Sequence, residues 1–340
     1  MIMNKNILLS TIFALVAFCV SAQEFNPIPL SWKWIGDQEV IFTYDGTYAD
    51  DAAFAMNVKT GKIRKGVTAP AKFSDFPLRP EGAVNLTYSP DSTKLAFTRD
   101  NDLYVVDIAS GKEQRLTFDG TELILNGYAS WVYFEEILGR PSRYKAFWWS
   151  PDSKKIGFYR FDNTKVPLFP IYSAFANPEA AASQSQSPRV TDLALGGSLS
   201  ETRYPKAGQT NPQVRIGVVD LGKCSGCPFS RSSECGGPEI VWADFDPALD
   251  QYFGIPFWGP DSEEFFIARM PRLQNTIDLY AVDYRDGSKR HVYNETYKTW
   301  LNWFEGVVFT DKGLYMAREF ETGWQQIYFL SYDGTEFRRL

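Results

Sequence analysis

The 340-residue sequence has a single histidine, His291, and no G-x-S-x-G run. A nucleophile elbow needs those glycines for its strand-to-helix turn, and a triad needs a base. Gly196-Gly197-Ser198-Leu199-Ser200 comes nearest and lacks the last glycine. His291 follows the Asp286-Gly287 turn in Lys289-Arg290-His291-Val292-Tyr293 and reads as a strand residue. No catalytic residue is therefore assigned. Positive charge is not in excess: 35 Lys and Arg against 41 Asp and Glu give a net charge of −6. That argues against a nucleic-acid partner, which would need a basic face. Cysteine is scarce, with four in all. Cys224, Cys227 and Cys235 have the spacing C-x2-C-x7-C, but a structural zinc site wants four ligands and His291 is far along the chain. The expectation there is a loop with one disulfide or free thiols, and neither metal nor cofactor.

Long apolar runs are also missing. The one at Ile7–Val20 is too short for a comfortable membrane span. It follows Lys5 and leads to Val20-Ser21-Ala22, small residues suited to cleavage before Gln23. The expectation is a signal peptide over residues 1–22, and a secreted or periplasmic mature chain over 23–340 with no membrane span.

What the chain has in quantity is aromatic residues: 26 Phe, 18 Tyr and 10 Trp. These favour strands and fill the wedges between packed sheets. A phrase also recurs. Ser89-Pro90-Asp91-Ser92 precedes Lys94–Thr98 and Leu103–Asp107. Ser150-Pro151-Asp152-Ser153 precedes Lys155–Tyr159, and Gly259-Pro260-Asp261-Ser262 precedes Phe265–Ala268 and Leu279–Asp283. Fainter copies run from Thr310 through Leu314–Ala317 to Ile327–Leu330, and from Trp34 to Val40–Thr43. Pro-Asp-Ser is turn chemistry, and the β-branched and aromatic runs after it are strands. A turn and two strands recurring every several dozen residues predict the blades of an all-β propeller; a β-sandwich is the alternative. Two stretches break the pattern, at 176–195 (Ala, Ser and Gln) and 223–238 (Cys, Ser and Gly), and are expected to be irregular insertions.

One short helix is expected, over Ser130–Leu138. Trp131, Phe134 and Leu138 share a face at helical spacing, Glu135 borders that stripe, Glu136 points away, and Ser130 is placed to cap the N-terminus. On these residues alone it reads as a surface helix with solvated carboxylates. Aimed into a cavity, the same two carboxylates would repel each other and welcome a cation between them. A peptide's α-ammonium, with three donors, is such a cation.

Trp131-Val132-Tyr133-x-Glu135-Glu136 followed by Trp148-Trp149-Ser150-Pro151 resembles the propeller domain of the dipeptidyl peptidase IV family. Ile124-Leu125-Asn126-Gly127, Val166-Pro167-Leu168, Tyr204-Pro205-Lys206-Ala207-Gly208 with Asn211-Pro212, and Arg272-Leu273-Gln274-Asn275 extend the likeness in the family's order. The resemblance implies part of an eight-bladed propeller that sits over an α/β-hydrolase domain in that family of serine exopeptidases. It implies that Glu135 and Glu136 hold the N-terminal amine of a peptide from which an X-Pro or X-Ala dipeptide is released.

The chain departs from the pattern in places. Ser130 and Phe134 stand where the family has acidic residues, the N-terminal region is shorter, and residues 46–62 show no match to the arginine that grips a substrate carbonyl. The last blades and the hydrolase domain are absent from these 340 residues, so the propeller is expected to be incomplete and the chain alone inactive as a peptidase. The expected role is substrate gating and recognition of peptide N-termini in a secreted exopeptidase. The alternatives are a standalone binding module, closed by forming a homodimer over its open sheet edges, and a nonfunctional truncated fragment.

Overall fold

Each repeated phrase becomes a pair of neighbouring strands, save the one at Ser150, which becomes the single strand Lys155–Asp162. The protein is described here by a computed structural model covering residues 31–36, 39–43, 54–65, 80–173, 189–192, 198–223, 238–319 and 322–340. The cysteines, residues 1–22 and most of the two irregular stretches lie outside the described residues. The chain divides into two units, Met1–Pro77 and Leu78–Leu340. The first holds one antiparallel sheet, β1 (Ser31–Gly36), β2 (Glu39–Thr43), β3 (Phe54–Asn57) and β4 (Ile63–Lys65), in the order 1-2-3-4. Ile41 and Ala55 are its buried centre.

The second unit begins with another four-stranded meander: β5 (Val84–Tyr88), β6 (Lys94–Arg99), β7 (Asp102–Asp107) and β8 (Glu113–Arg115). Next come β9 (Ile124–Asn126), β10 (Phe147–Trp149) and β11 (Lys155–Asp162). The chain then leaves that sheet for a three-stranded one, β12 (Leu168–Ser173), β13 (Arg189–Asp192) and β14 (Ser198–Arg203), paired in the order 12-14-13. It returns as β15 (Gln213–Asp220), which pairs with β11, and β16 (Ile240–Trp242). Two more sheets follow. One comprises β17 (Gln251–Phe253), β18 (Phe257–Trp258), β19 (Glu264–Pro271), β20 (Thr276–Asp283) and β21 (Lys289–Thr296). The other comprises β22 (Glu305–Phe309), β23 (Gly313–Arg318), β24 (Gln326–Ser331) and β25 (Phe337–Arg339). The chain is all-β, and five of its sheets have the antiparallel strand order of propeller blades.

Period-two alternation explains how the blades of the second unit stack, since successive side chains of a strand point to opposite faces. On β11, Ile156 and Phe158 pack with Ala96, Leu103 and Val105 of the preceding blade. Their neighbours Tyr159 and Phe161 pack with Phe253, Phe265 and Ile267 of the following blade. On β19, Phe265 and Ile267 face backward while Phe266 and Ala268 face forward, onto Leu314, Met316 and Leu330. A strand apolar on both faces is what a blade between two blades requires. Gly157 shows the closeness of the seam: a Cβ there would lie 2.4 Å from Cζ of Phe265.

The turns join blades as well. Ser89 Oγ donates to Asp91 Oδ1 at 2.6 Å, and Ser150 Oγ to Asp152 Oδ1 at 2.5 Å, closing each Ser-Pro-Asp turn on itself. The two tryptophans of Trp148-Trp149 serve different neighbours. The Trp148 carbonyl accepts the Trp258 indole N–H at 3.1 Å, and the Trp149 indole donates to the Thr87 carbonyl at 3.0 Å.

Candidate functional site

The segment carrying Glu135 and Glu136 links β9 to β10. It differs from the expected helix. Trp131 and Val132 are helical, and Tyr133–Ile137 then widen into a π-helical turn, closed by the Leu138 N–H on the Tyr133 carbonyl at 2.7 Å. A π-turn inserts a residue into the helical register, and such turns are frequent at functional sites. The extra residue changes which side chain is inside. Tyr133, absent from the expected stripe, is fully buried, while Trp131 and Phe134 are half-buried and Leu138 is buried. Nor does Ser130 cap the turn. Its carbonyl accepts the Phe134 N–H, and its buried hydroxyl has no hydrogen-bond partner.

Tyr133 fastens this turn to the next blade. Its hydroxyl accepts the Phe253 N–H of β17 at 3.1 Å, and its ring meets Phe161 edge-on at 4.8 Å between centroids. Burial pushes its phenol well above the ordinary tyrosine range, so it stays protonated. Trp131 packs on Tyr204 at 4.5 Å. Phe134 stacks on Tyr144 at 3.8 Å with the rings 13° from parallel, and Tyr144 stacks in turn on Tyr128 at 4.9 Å. Burial, with the nearby Glu135 charge second, pushes the Tyr144 hydroxyl up to about 12.

The two carboxylates are not equivalent. Glu136 is exposed. Glu135 is largely covered, with 18% of its side chain accessible. Its Oε1 accepts from Arg140 twice, from Nε at 3.0 Å and from Nη2. Its Oε2 is buried with no hydrogen-bond partner. The sequence reading missed Arg140. The signal was there, since Arg140-Pro141 follows Gly139 five residues after Glu135, but a five-residue spacing has no meaning on an ordinary helix face.

Other quoted phrases converge nearby. Arg272 Nη1 donates to the Gln209 carbonyl at 2.6 Å and to Asp250 Oδ2 at 3.0 Å. Asn211 Nδ2 donates to Asp250 Oδ1 at 3.1 Å and to the Tyr252 hydroxyl at 2.8 Å. Asp250, unnoticed in the sequence, thus joins the Tyr204–Asn211 and Arg272–Asn275 phrases around a shallow cavity of about 230 Å³. Tyr252 lies 6.4 Å from Tyr133, ring to ring. His291 lies on β21 as expected, its Nε2 3.2 Å from Asp278 Oδ1. Among the described residues no three or more His, Cys, Asp or Glu side chains are grouped to hold a metal, and no helix is long and apolar enough to cross a membrane.

The chain is similar to known proteins. A probable dipeptidyl-aminopeptidase B of Talaromyces marneffei is 36% identical over 183 residues, which are 52% of this chain and 19% of that protein. Another, from Arthroderma gypseum, is 37% identical over 146 residues, 43% of this chain and 15% of that one. The chain thus matches less than a quarter of the length of either relative. The crystal structure of Porphyromonas gingivalis dipeptidyl peptidase 4 superposes with a TM-score of 0.58 at 22% identity, over 89% of this chain and 38% of that one. That likeness shows the propeller fold. Residues 52–340 match the family described as the dipeptidyl peptidase IV (DPP IV) N-terminal region, and the chain belongs to that family.

Proposed function

We propose that this propeller reads the free N-terminus of a peptide, as the substrate-gating part of a secreted or periplasmic serine exopeptidase that releases X-Pro or X-Ala dipeptides. The carrying observation is the pair Glu135 and Glu136 on one π-turn, one exposed and the other covered with its Oε2 unpaired. A buried carboxylate oxygen without a donor is costly, and an ammonium group supplies a charge-assisted one. Glu136, beside it in sequence, offers further oxygens to the same three-donor cation. Membership of the family supports this reading, and so does the N-terminal sequence, which reads as an export signal.

Titration calorimetry of the full chain with Ala-Pro-Ala, free or acetylated at its N-terminus, tests the proposal. Binding of the free peptide in preference to the acetylated one, measurably weakened but still detectable in Glu135→Gln and in Glu136→Gln, is the expected result. Equal affinity for both peptides overturns it.

A further inference from the structure

We infer that Arg140 is a positioning residue for N-terminus recognition, acting through Glu135; the inference rests on the reading just proposed. Arg140 does not grip the carboxylate in the usual fork, one nitrogen to each oxygen. Both of its hydrogen bonds to Glu135 go to Oε1. The consequence is a division of labour within one carboxylate. Oε1 is held, and Oε2 is left buried and unpaired for an incoming donor.

The surrounding backbone is shaped to hold Arg140 there. Gly139, Arg143 and Tyr144 have φ of 76°, 50° and 67°. Left-handed backbone at two adjacent non-glycine residues is costly and persists only where neighbours over-determine it. Here the neighbour is Phe134, one residue before Glu135, on which Tyr144 stacks at 3.8 Å. The loop that begins with Arg140 is thereby clamped to the turn that bears its partner. Arg140 itself is 73% exposed, so its charge adds little to stability and its loss leaves the fold intact.

Charge arithmetic points the same way. Two adjacent carboxylates carry −2, and one guanidinium on Glu135 brings the cluster to −1, the charge a single ammonium neutralises. Arg140 would thus favour a ligand with one positive charge at its end and hold Oε2 at the geometry that ligand needs.

The test compares binding of free and acetylated Ala-Pro-Ala to the full chain, to Arg140→Gln, Arg140→Lys and Glu135→Gln, and to Glu135→Gln combined with Arg140→Gln, with circular dichroism confirming the fold of each. Loss of one charge-assisted contact geometry should weaken the free peptide about tenfold in Arg140→Gln. Arg140→Lys should restore part of that loss. In the Glu135→Gln background, Arg140→Gln should change nothing further, because a residue acting through another has no effect once that other is gone. If the wild type discriminates and Glu135→Gln does not, but Arg140→Gln binds as well as or better than wild type, the inference falls alone. Additive losses in the double variant also overturn it. If the wild type does not discriminate at all, the function proposed above falls, and this inference with it.

Discussion

Ser153 Oγ accepts the backbone N–H of Asp91 at 3.0 Å, and Ser262 Oγ accepts that of Asp152, also at 3.0 Å. In each case the last residue of one blade's turn receives a bond from the third residue of the turn before it. Ser153 and Ser262 both have left-handed backbone, with φ of 62° and 64°. The repeated Pro-Asp-Ser is therefore more than a local turn. Its aspartate closes its own turn and its serine takes hold of the neighbouring one.

Replacing Ser153 or Ser262 by Ala leaves a partly buried N–H without its partner and should cost about 1 kcal/mol in urea unfolding. Replacement by Gly removes the same bond but relieves the left-handed strain, so the Gly variant should unfold at higher urea than the Ala variant. An Ala variant as stable as wild type would show that the inter-blade bond adds nothing.

The seam at Gly157 makes a steric prediction. A methyl group 2.4 Å from the Phe265 ring cannot be accommodated without moving one blade. Gly157→Ala should cost about 1–3 kcal/mol, and Phe265→Leu in the same chain should recover part of it. Chemical unfolding of the single and double variants checks this.

Arg318 and Glu295 form a bidentate pair at 2.7 and 3.1 Å, with 3% and 2% of their side chains exposed. The Tyr293 hydroxyl also donates to Glu295, and Arg318 reaches the Asn302 and Trp303 carbonyls. Removing one partner strands a buried charge. Arg318→Met alone should cost about 3–5 kcal/mol, and pairing it with Glu295→Leu should cost less than the single change. Thermal melts of the three proteins would show the order.

Acid should destabilise the protein through its turns. Hydrogen bonds from Ser89, then from the Thr93 amide, hold the Asp91 carboxyl far below the usual range. Bonds from Ser331 and Thr335 bring Asp333 down to about 2. A carboxyl whose pKa is lower folded than unfolded stabilises the fold above its unfolded value, roughly 3.9, and loses that contribution as pH falls toward the folded value. Melting temperature should hold from pH 7 to roughly 5 and then drop, and Asp91→Asn or Asp333→Asn should make the drop shallower. A curve that the substitutions leave unchanged would place the acid sensitivity elsewhere.

The blades were legible because each rests on local chemistry. Pro-Asp-Ser marks a turn whatever surrounds it, and Lys155–Tyr159 or Phe265–Ala268 is β-prone on either face. The site was legible only in part. Glu135 and Glu136 stand together in the sequence, but the π-turn depends on Tyr133 reaching Phe253, a contact 120 residues away that no local period records. The sheet of β12, β13 and β14 was missed for a related reason. Its middle strand in sequence, Arg189–Asp192, lies in a stretch too polar to signal burial, and it is a strand because β14 pairs with it.

Tyr133 and Phe134, with Trp131 just before them, tie one five-residue turn to three separate partners: β17 through Phe253, the segment after β14 through Tyr204, and the Arg140 loop through Tyr144. The backbone that carries Glu135 and Glu136 is therefore held from three sides. That backbone is placed by the packing between two blades, so a change deep in the seam between β11 and β19 would be felt as a displacement of both carboxylates together.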